Sequence, residues 1–240
     1  MKIITELINS VKNKDCEVRE VYTFARYSMV VSKNCGIASV LRDAHCSHKG
    51  VKDAGKLLGK SAIELAEYAL SDDILEASIG TSTINSLIDI YEEECVEINA
   101  YDIIADKGKG KNVAVIGHFP FVKKLTGKVN NLWVIEKNTQ PGDSEERETK
   151  DILPNCDVIG ITGTTIINHT LENILSYCKK DSLKILLGPS APMSPILFSY
   201  GIDVISGSKI VDKDKVFSYL SQGSGFQGIS GVRLLTMIKK

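Results

Sequence analysis

Apolar and polar positions follow different patterns in the first and second parts of the chain. Apolar residues at positions 3, 4, 7, 8 and 11 have helical spacing and predict an amphipathic first helix. Two β-rich runs, residues 27–32 and 37–41, flank the polar residues 33–36, which predicts a hairpin. Residues 61–64 fit a helix capping box, and the apolar spacing within residues 84–91 predicts a further helix.

From about residue 103 onward, short and nearly continuous apolar runs alternate with helical segments. Such runs are typical of strands buried on both faces of a parallel sheet between helices. They lie at residues 113–117, 132–136, 157–162, 184–188 and 203–205, with helices predicted at 166–180, after Ser194 and from Asp212 to Gln222. The fold class is therefore α/β, with a smaller α+β domain at residues 1–105 and a Rossmann-like, mostly parallel sheet domain at residues 106–240.

Ligands of such sheets bind beyond the carboxyl ends of the strands, where the strand order reverses. The loops that follow the predicted strands are accordingly the candidate ligand-binding segments, and they are rich in small and polar residues. The candidates are Gly117, His118 and Phe119 after the first strand, Glu136 at the end of the second, Gly163, Thr164, Thr165 and Asn168 after the third, and Gly188 and Ser190 after the fourth.

Two of these loops carry specific chemistry. Glu136 lies 19 residues after Gly117, where a carboxylate can accept hydrogen bonds from a ribose diol; an exposed Glu at a strand end is the alternative. Thr164 and Thr165 lie at a strand-to-helix turn, which favours a phosphate or carboxylate, although ordinary helix capping explains them equally well.

The first loop lacks the glycines of a dinucleotide-binding turn, because Gly117 is followed by His118, Phe119 and Pro120. Without a GxGxxG turn the backbone cannot closely approach a pyrophosphate, so NAD is not expected as the cofactor. His118 lies on this loop and is the candidate catalytic acid–base group. The cofactor stays open between a metal ion and a ribose- or phosphate-bearing molecule.

A separate polar stretch carries His45, Cys46 and His48, which could supply two imidazoles and a thiolate to a metal ion. The spacing is tighter than that of a zinc finger, and Asp43 or a residue of the other domain would have to complete the ligand set. Histidines in a polar loop are otherwise solvated or face a substrate.

Composition excludes several classes of protein. Of the 240 residues, 43% are hydrophobic and 25% charged, enough for a folded core, and the formal net charge of -1 argues against a nucleic-acid partner. No apolar run approaches the about 18 residues of a membrane span. The 6 cysteines have no paired spacing, which predicts reduced thiols in a cytoplasmic protein. A homo-oligomer stays open, and the expected partner is a small molecule.

Several segments together resemble a family of bacterial and archaeal proteins associated with heavy-metal chelation. The resemblance rests on residues 69–85, on Val-Ile-Gly-His-Phe-Pro-Phe at 115–121 and on Val-Ile-Glu-Lys-Asn-Thr-Gln-Pro-Gly-Asp at 134–143. It extends through residues 153–158, Thr-Gly-Thr-Thr at 162–165 with Asn168, and Leu-Gly-Pro-Ser-Ala-Pro at 187–192. The match spans nearly the whole chain.

The resemblance implies an enolase N-terminal-like domain joined to a Rossmann-like domain, with a ligand site between them. It implies that Asn85 contributes to this crevice from the first domain, opposite Gly117, His118, Glu136, Gly163, Thr164, Asn168, Gly188 and Ser190. The implied activity is condensation or hydrolysis of small metal-chelating or pterin-like compounds. The competing hypotheses are a metal-binding or metal-delivery protein that uses His45, Cys46 and His48, and a ligand sensor without chemistry.

Overall fold

The computed structural model describes residues 1–41 and 50–240. The helices are α1 (Lys2–Val11), α2 (Ala62–Ala66), α3 (Ile74–Leu87), α4 (Ala100–Lys107), α5 (Thr149–Ile152), α6 (Thr164–Ile167), α7 (Leu171–Tyr177) and α8 (Lys213–Ser221). The strands are β1 (Glu20–Thr23), β2 (Tyr27–Val31), β3 (Cys35–Ser39), β4 (Asn112–Ile116), β5 (Asn131–Glu136), β6 (Ser144–Glu145), β7 (Val158–Thr162), β8 (Leu183–Leu187), β9 (Val204–Ile210) and β10 (Val232–Ile238).

The first part of the chain forms a three-stranded antiparallel sheet in the order β1-β2-β3. Its β2–β3 pair is the predicted hairpin. Helix α3 packs on β2 and β3 with one side and on α2 and the 3-10 helix Glu67–Leu70 with the other. This helix is buried from Ala77 to Ile84, and its Ser78 and Ser82 hydroxyls hydrogen-bond to Ser28 of β2. Small and hydroxyl side chains therefore allow α3 to run through the interior.

The second part forms a seven-stranded sheet in the order β10-β9-β8-β7-β4-β5-β6, in which only the β9–β10 pair is antiparallel. Starting from β4, the first six strands have the order 3-2-1-4-5-6 of doubly wound nucleotide-binding sheets. The five predicted strands are confirmed, and with them the mixed α/β fold. The enolase-like character of the first part stays a prediction.

The sequence patterns were wrong about the extent of several helices. The helical spacing within residues 84–91 belongs to the end of α3, which stops at Leu87. The segment predicted as one helix at residues 166–180 contains two short helices, α6 and α7. His169 lies between these two helices and has a φ of 60°, a left-handed conformation that does not continue an α-helix. Its Nε2 lies 2.9 Å from the carbonyl oxygen of Ala69, so a tertiary contact accompanies the break. The predicted helix after Ser194 is the 3-10 helix Pro195–Tyr200.

The two parts of the chain share one hydrophobic cluster, in which Ile4 and Leu7 of α1 belong together with Ile116 and Ile161 of the large sheet. Hydrogen bonds add to this packing: the backbone N–H of Ile3 donates to Glu172 at 2.8 Å. Helix α4 spans the predicted boundary at residue 106 and packs on the large sheet through Ile104. The division into 1–105 and 106–240 stays a prediction.

The cysteine side chains that the structure describes are free thiols. Burial raises the pKa of Cys35 and Cys156 to about 12 and that of Cys178 to about 11. At neutral pH these three groups are protonated and act as small apolar side chains. Within residues 1–41 and 50–240, no helix combines the length and apolar character needed to cross a bilayer.

Glu92 connects the two parts of the chain. Its carboxylate accepts hydrogen bonds from Lys209 of β9 and Arg233 of β10. These hydrogen bonds hold the pKa of the Glu92 carboxyl below its ordinary value, and the bond from Lys209 contributes most. The Glu92 carboxylate therefore stabilises the folded chain at pH values above its unfolded-state pKa, and the contribution disappears as the pH falls through the folded-state pKa.

We expect Glu92→Gln to lower the free energy of unfolding near neutral pH. The free energy of unfolding of the variant should also decrease less than that of wild type when the pH falls below about 4.3, the ordinary glutamate pKa. Urea denaturation of both proteins between pH 3 and pH 7 measures the difference. The exposed neighbour Glu93 provides the matched control, because Glu93→Gln makes the same change in charge. Identical pH profiles for wild type and Glu92→Gln would contradict the assigned role.

Candidate functional site: a pocket at the switch point of the large sheet

A pocket of about 680 Å³ opens at the carboxyl ends of β4, β5 and β7. Strand β5 lies on one side of β4 and β7 on the other, so the strand order reverses at this point. Ligands of doubly wound sheets bind at such reversals, and the volume lies within the range of small-molecule sites. We call this space the switch-point pocket.

Four groups of residues line the switch-point pocket. The ends of the strands and the loops after them contribute Ile116, Gly117, Ile135, Glu136, Lys137, Asn138 and Thr162; the segment around α5 contributes Glu146, Arg147, Thr149 and Lys150; α6, α7 and their junction contribute Thr164, Thr165, Asn168, Thr170, Asn173, Ile174 and Tyr177; the first part of the chain contributes Leu41 and Ile74. Five candidates from the sequence thus share one pocket: Gly117, Glu136, Thr164, Thr165 and Asn168.

Glu136 fixes the turn after β4. Its Oε1 accepts the backbone N–H of His118 at 2.9 Å, and its Oε2 accepts that of Lys137 at 3.0 Å. Gly117 has a φ of 98°, and a Cβ added there would lie 3.0 Å from the Cβ of Thr162, so glycine is required. Each carboxylate oxygen keeps capacity for a second hydrogen bond, and contact with a ligand diol stays a prediction.

Threonines shape the turn between β7 and α6. The hydroxyls of Thr162 and Thr164 lie 3.0 Å apart, and the Thr165 hydroxyl donates to the Thr162 carbonyl at 2.7 Å. Helix α6 is a single turn of four residues, too short for a substantial macrodipole. Anion binding at this turn therefore depends on hydroxyls and on neighbouring cations more than on the helix.

Asn168 presents a donor to the pocket. Its Oδ1 accepts the backbone N–H of Thr170 at 3.3 Å and the Thr170 hydroxyl at 2.7 Å. These two contacts identify the oxygen of the amide, so its Nδ2 is the group left for a ligand. The left-handed residue His169 directly follows and turns the chain into α7.

His118 and Phe119 belong to the turn but not to the residues lining the pocket. The Nδ1 of His118 lies 3.4 Å from Oδ2 of Asp143, a nearly buried carboxylate that also accepts the Gln140 backbone N–H. Phe119 stacks on Phe121, with ring centroids 5.2 Å apart. The acid–base role predicted for His118 stays a prediction, and its imidazole is paired with Asp143 in this structure.

Asn85, Gly188 and Ser190 lie away from the switch-point pocket. The buried Ser190 hydroxyl accepts the backbone N–H of Ser39 at 2.8 Å and thereby ties the loop after β8 to β3. Gly163 packs on the same loop, since a Cβ added to it would lie 2.5 Å from the Ala191 nitrogen. Asn85 borders a second cavity. The residues expected to line a single crevice therefore lie in two places: some line the switch-point pocket, whereas Asn85, Gly188 and Ser190 do not.

Three cations at the pocket were not singled out from the sequence: Lys137, Arg147 and Lys150. Lys137 lies 3.7 Å from Glu146, and Arg147 lies 2.7 Å from Glu145. No carboxylate within residues 1–41 and 50–240 forms an ion pair with Lys150. Asn173 and Tyr177 of α7 add polar groups to the lining. Their i, i+4 spacing places them on one face of the helix, which is a signal that the sequence contains.

The metal ligands predicted from the sequence, His45, Cys46 and His48, lie outside the described residues. In the part of the chain that the structure does describe, no three His, Cys, Asp or Glu side chains form a group able to hold a metal ion. The side chains that line the pocket are mainly cationic, hydroxyl and amide groups, which donate hydrogen bonds to oxygen-rich anions.

Comparison with known proteins gives a consistent result. Residues 99–239 match the sequence profile of the DUF364 family and residues 4–88 that of DUF4213, both described as "Putative heavy-metal chelation". An uncharacterized protein of Methanocaldococcus jannaschii is 30% identical over 236 residues, which cover 92% of this chain and 90% of that protein.

Two solved structures share the fold. A DUF364 family protein of unknown function from Desulfitobacterium hafniense superposes with a TM-score of 0.86 at 24% identity, covering 99% of this chain and 98% of that one. A second, from Pyrococcus horikoshii, has a TM-score of 0.86 at 22% identity and covers 98% and 99%. The chain therefore belongs to the DUF364 family, whose description is "Putative heavy-metal chelation".

Proposed function

We propose that the protein binds a small acidic organic molecule of the metal-chelating class in the switch-point pocket. The observation that carries this proposal is Lys150, an ammonium group at the pocket that no described carboxylate neutralises. An uncompensated cation beside a ligand-sized pocket attracts a ligand carboxylate or phosphate. A polycarboxylate chelator supplies several such groups at once.

The other charges at the pocket support the same ligand class. The ammonium of Lys137 is within ion-pair distance of Glu146, and the carboxylate of Glu136 accepts two backbone N–H groups. The negative groups of the lining are thus engaged within the protein, whereas Lys150 remains for a ligand. Thr164 and the Nδ2 of Asn168 add neutral donors to the lining.

Binding has more direct support than catalysis in this geometry. Condensation or hydrolysis of the chelator would need a group that moves a proton at the ligand, and the candidate His118 faces Asp143. We therefore place binding first and a reaction with His118 second. A cytoplasmic location, inferred from the unpaired cysteines, belongs to the same proposal.

Citrate, a tricarboxylate that chelates metal ions, is a suitable probe, and trimethyl citrate is its uncharged control. We expect citrate, with or without bound nickel ion, to shift the amide resonances of Thr164 and Asn168 in a ¹⁵N–¹H spectrum at low ionic strength. Trimethyl citrate should leave these resonances in place, because it has no charge for Lys150 to bind.

Equal shifts with the ester, or shifts at residues distant from the pocket, would contradict the proposal. Nickel ion without citrate tests the competing metal-binding hypothesis. Retention of nickel by wild type and its loss in a His45→Ala/Cys46→Ser/His48→Ala variant would support direct metal binding.

A further inference from the structure

Part of the switch-point pocket is apolar. The apolar and aromatic side chains that line it, within the described part of the chain, are Leu41, Ile74, Ile116, Ile135, Ile174 and Tyr177. We call these six residues the apolar lining. A tricarboxylate such as citrate exposes little carbon surface and gains little from contact with them. The apolar lining therefore carries information about the ligand that the charges do not.

Two members of the apolar lining are neighbours on the large sheet. Ile116 of β4 and Ile135 of β5 are partners in a parallel pair, so their side chains lie side by side on one face of the sheet. Both belong to the same hydrophobic cluster as Ile174 of α7. The pocket therefore opens where the core between the sheet and α7 ends, and an apolar group bound there extends this core.

Three members of the apolar lining are only half-buried: Leu41, Ile74 and Tyr177. Leu41 and Ile74 pack together on Ile167, and Tyr177 packs on the cluster that contains Ile174. Each of the three keeps part of its side chain uncovered by the described chain. Removal of apolar surface from water stabilises a complex in proportion to the area buried. These side chains thus favour a ligand that brings apolar surface of its own.

The cation of the pocket lies next to the apolar lining. Helix α5 carries Lys150 and packs against α7, which carries Ile174 and Tyr177. A carboxylate paired with Lys150 consequently brings the remainder of its molecule close to these side chains. One cation beside apolar surface fits an acid that has a charged end and an apolar body.

We propose that the ligand of the switch-point pocket is a ring acid, in which a carboxylate paired with Lys150 is attached to an apolar six-membered ring that lies on the apolar lining. Hydroxybenzoates and benzenedicarboxylates belong to this class. A ring has few rotatable bonds, so it loses less conformational freedom on binding than an open chain of equal apolar area. The ring of Tyr177 adds an aromatic surface against which it can stack. This inference rests on the proposed function and adds the chemistry of the ligand body.

Isophthalate and glutarate provide a matched pair of probes. Both are dianions with three carbon atoms between their carboxylates, and isophthalate adds the ring. We expect isophthalate to bind about tenfold more tightly than glutarate in isothermal titration calorimetry at low ionic strength. Equal affinities would overturn the ring-acid proposal and leave the proposed function in place. If citrate, glutarate and isophthalate all fail to bind, both proposals are wrong.

Isoleucine methyl resonances report where the ring binds. We expect isophthalate to shift the δ1-methyl resonances of Ile74 and Ile174 by its ring current, and glutarate to shift them several-fold less. Ile63 of α2 does not line the pocket, and its methyl resonance is the internal control. Isophthalate shifts that spare the isoleucines of the apolar lining would overturn the proposal. This measurement uses the wild-type chain.

Ile74→Asn replaces a half-buried member of the apolar lining by a polar side chain. We expect isophthalate affinity to fall about fivefold, and glutarate affinity to fall less, because glutarate offers less apolar surface. Ile63→Asn makes the same change at a half-buried position outside the lining and should preserve both affinities. Equal losses for the two acids in Ile74→Asn would contradict the role of the apolar lining.

Discussion

Gly80→Ala is expected to lower the free energy of unfolding by about 3 kcal/mol, the upper end of the usual cost of overpacking. Gly80 lies in the buried helix α3, where the 3-10 helix Glu67–Leu70 crosses it. A Cβ added there would lie 1.9 Å from the Ala69 nitrogen and 2.5 Å from the Tyr68 carbonyl carbon. Backbone atoms cannot rotate away as a side chain can, so one of the two segments must move.

Urea denaturation of Gly80→Ala measures this loss. Gly59→Ala is the matched control, because a Cβ added at Gly59 meets no atom of the described chain within 4 Å. We expect the control to change the free energy of unfolding by less than about 1 kcal/mol. Equal stability of wild type and Gly80→Ala would show that α3 and the 3-10 helix Glu67–Leu70 are packed less closely than in this structure.

Lys150→Glu is expected to weaken citrate binding in the switch-point pocket by about 10- to 100-fold. The estimate follows from the about 1.5–3 kcal/mol carried by a hydrogen bond to a charged group. The substituted carboxylate also repels the ligand. Isothermal titration calorimetry at low ionic strength measures the change, and added salt should reduce the difference.

Lys123→Glu makes the same change in net charge at an exposed position outside the pocket lining. This control should lose much less citrate affinity than Lys150→Glu, because Lys123 does not line the pocket and makes no hydrogen bond to a ligand there. A loss as large in Lys123→Glu as in Lys150→Glu would indicate a general charge effect. The assignment of Lys150 as the ligand-binding cation would then be wrong.

The large sheet could be predicted because its strands are buried on both faces and carry nearly continuous apolar runs. Strand β10 has no such run: it is an antiparallel strand at the edge of the sheet, with Arg233 and Thr236 among its apolar residues. The break at His169 also escaped prediction. It is accompanied by a contact between His169 and Ala69, which lie 100 residues apart in sequence, so no local pattern reveals it.

Part of the candidate site could be predicted from the positions of the strand ends. Glu136 and Thr164 follow strand ends, and the topology of a parallel sheet brings strand ends together. Lys150 escaped prediction because α5 is a single turn without a periodic pattern. The separation of Asn85 from Glu136 depends on how β3 meets the loop after β8 through Ser39 and Ser190, which no local pattern encodes.

The hydrophobic cluster shared by α1 and the large sheet has an evolutionary consequence. Ile4 and Ile116 belong to segments that match two separate profiles, yet they are buried in the same cluster. A substitution that places a larger side chain in one segment leaves less space in the cluster for the side chains of the other segment. Substitutions in the two segments should therefore be correlated among relatives, and a gene that encodes either segment alone should need a compensating partner chain.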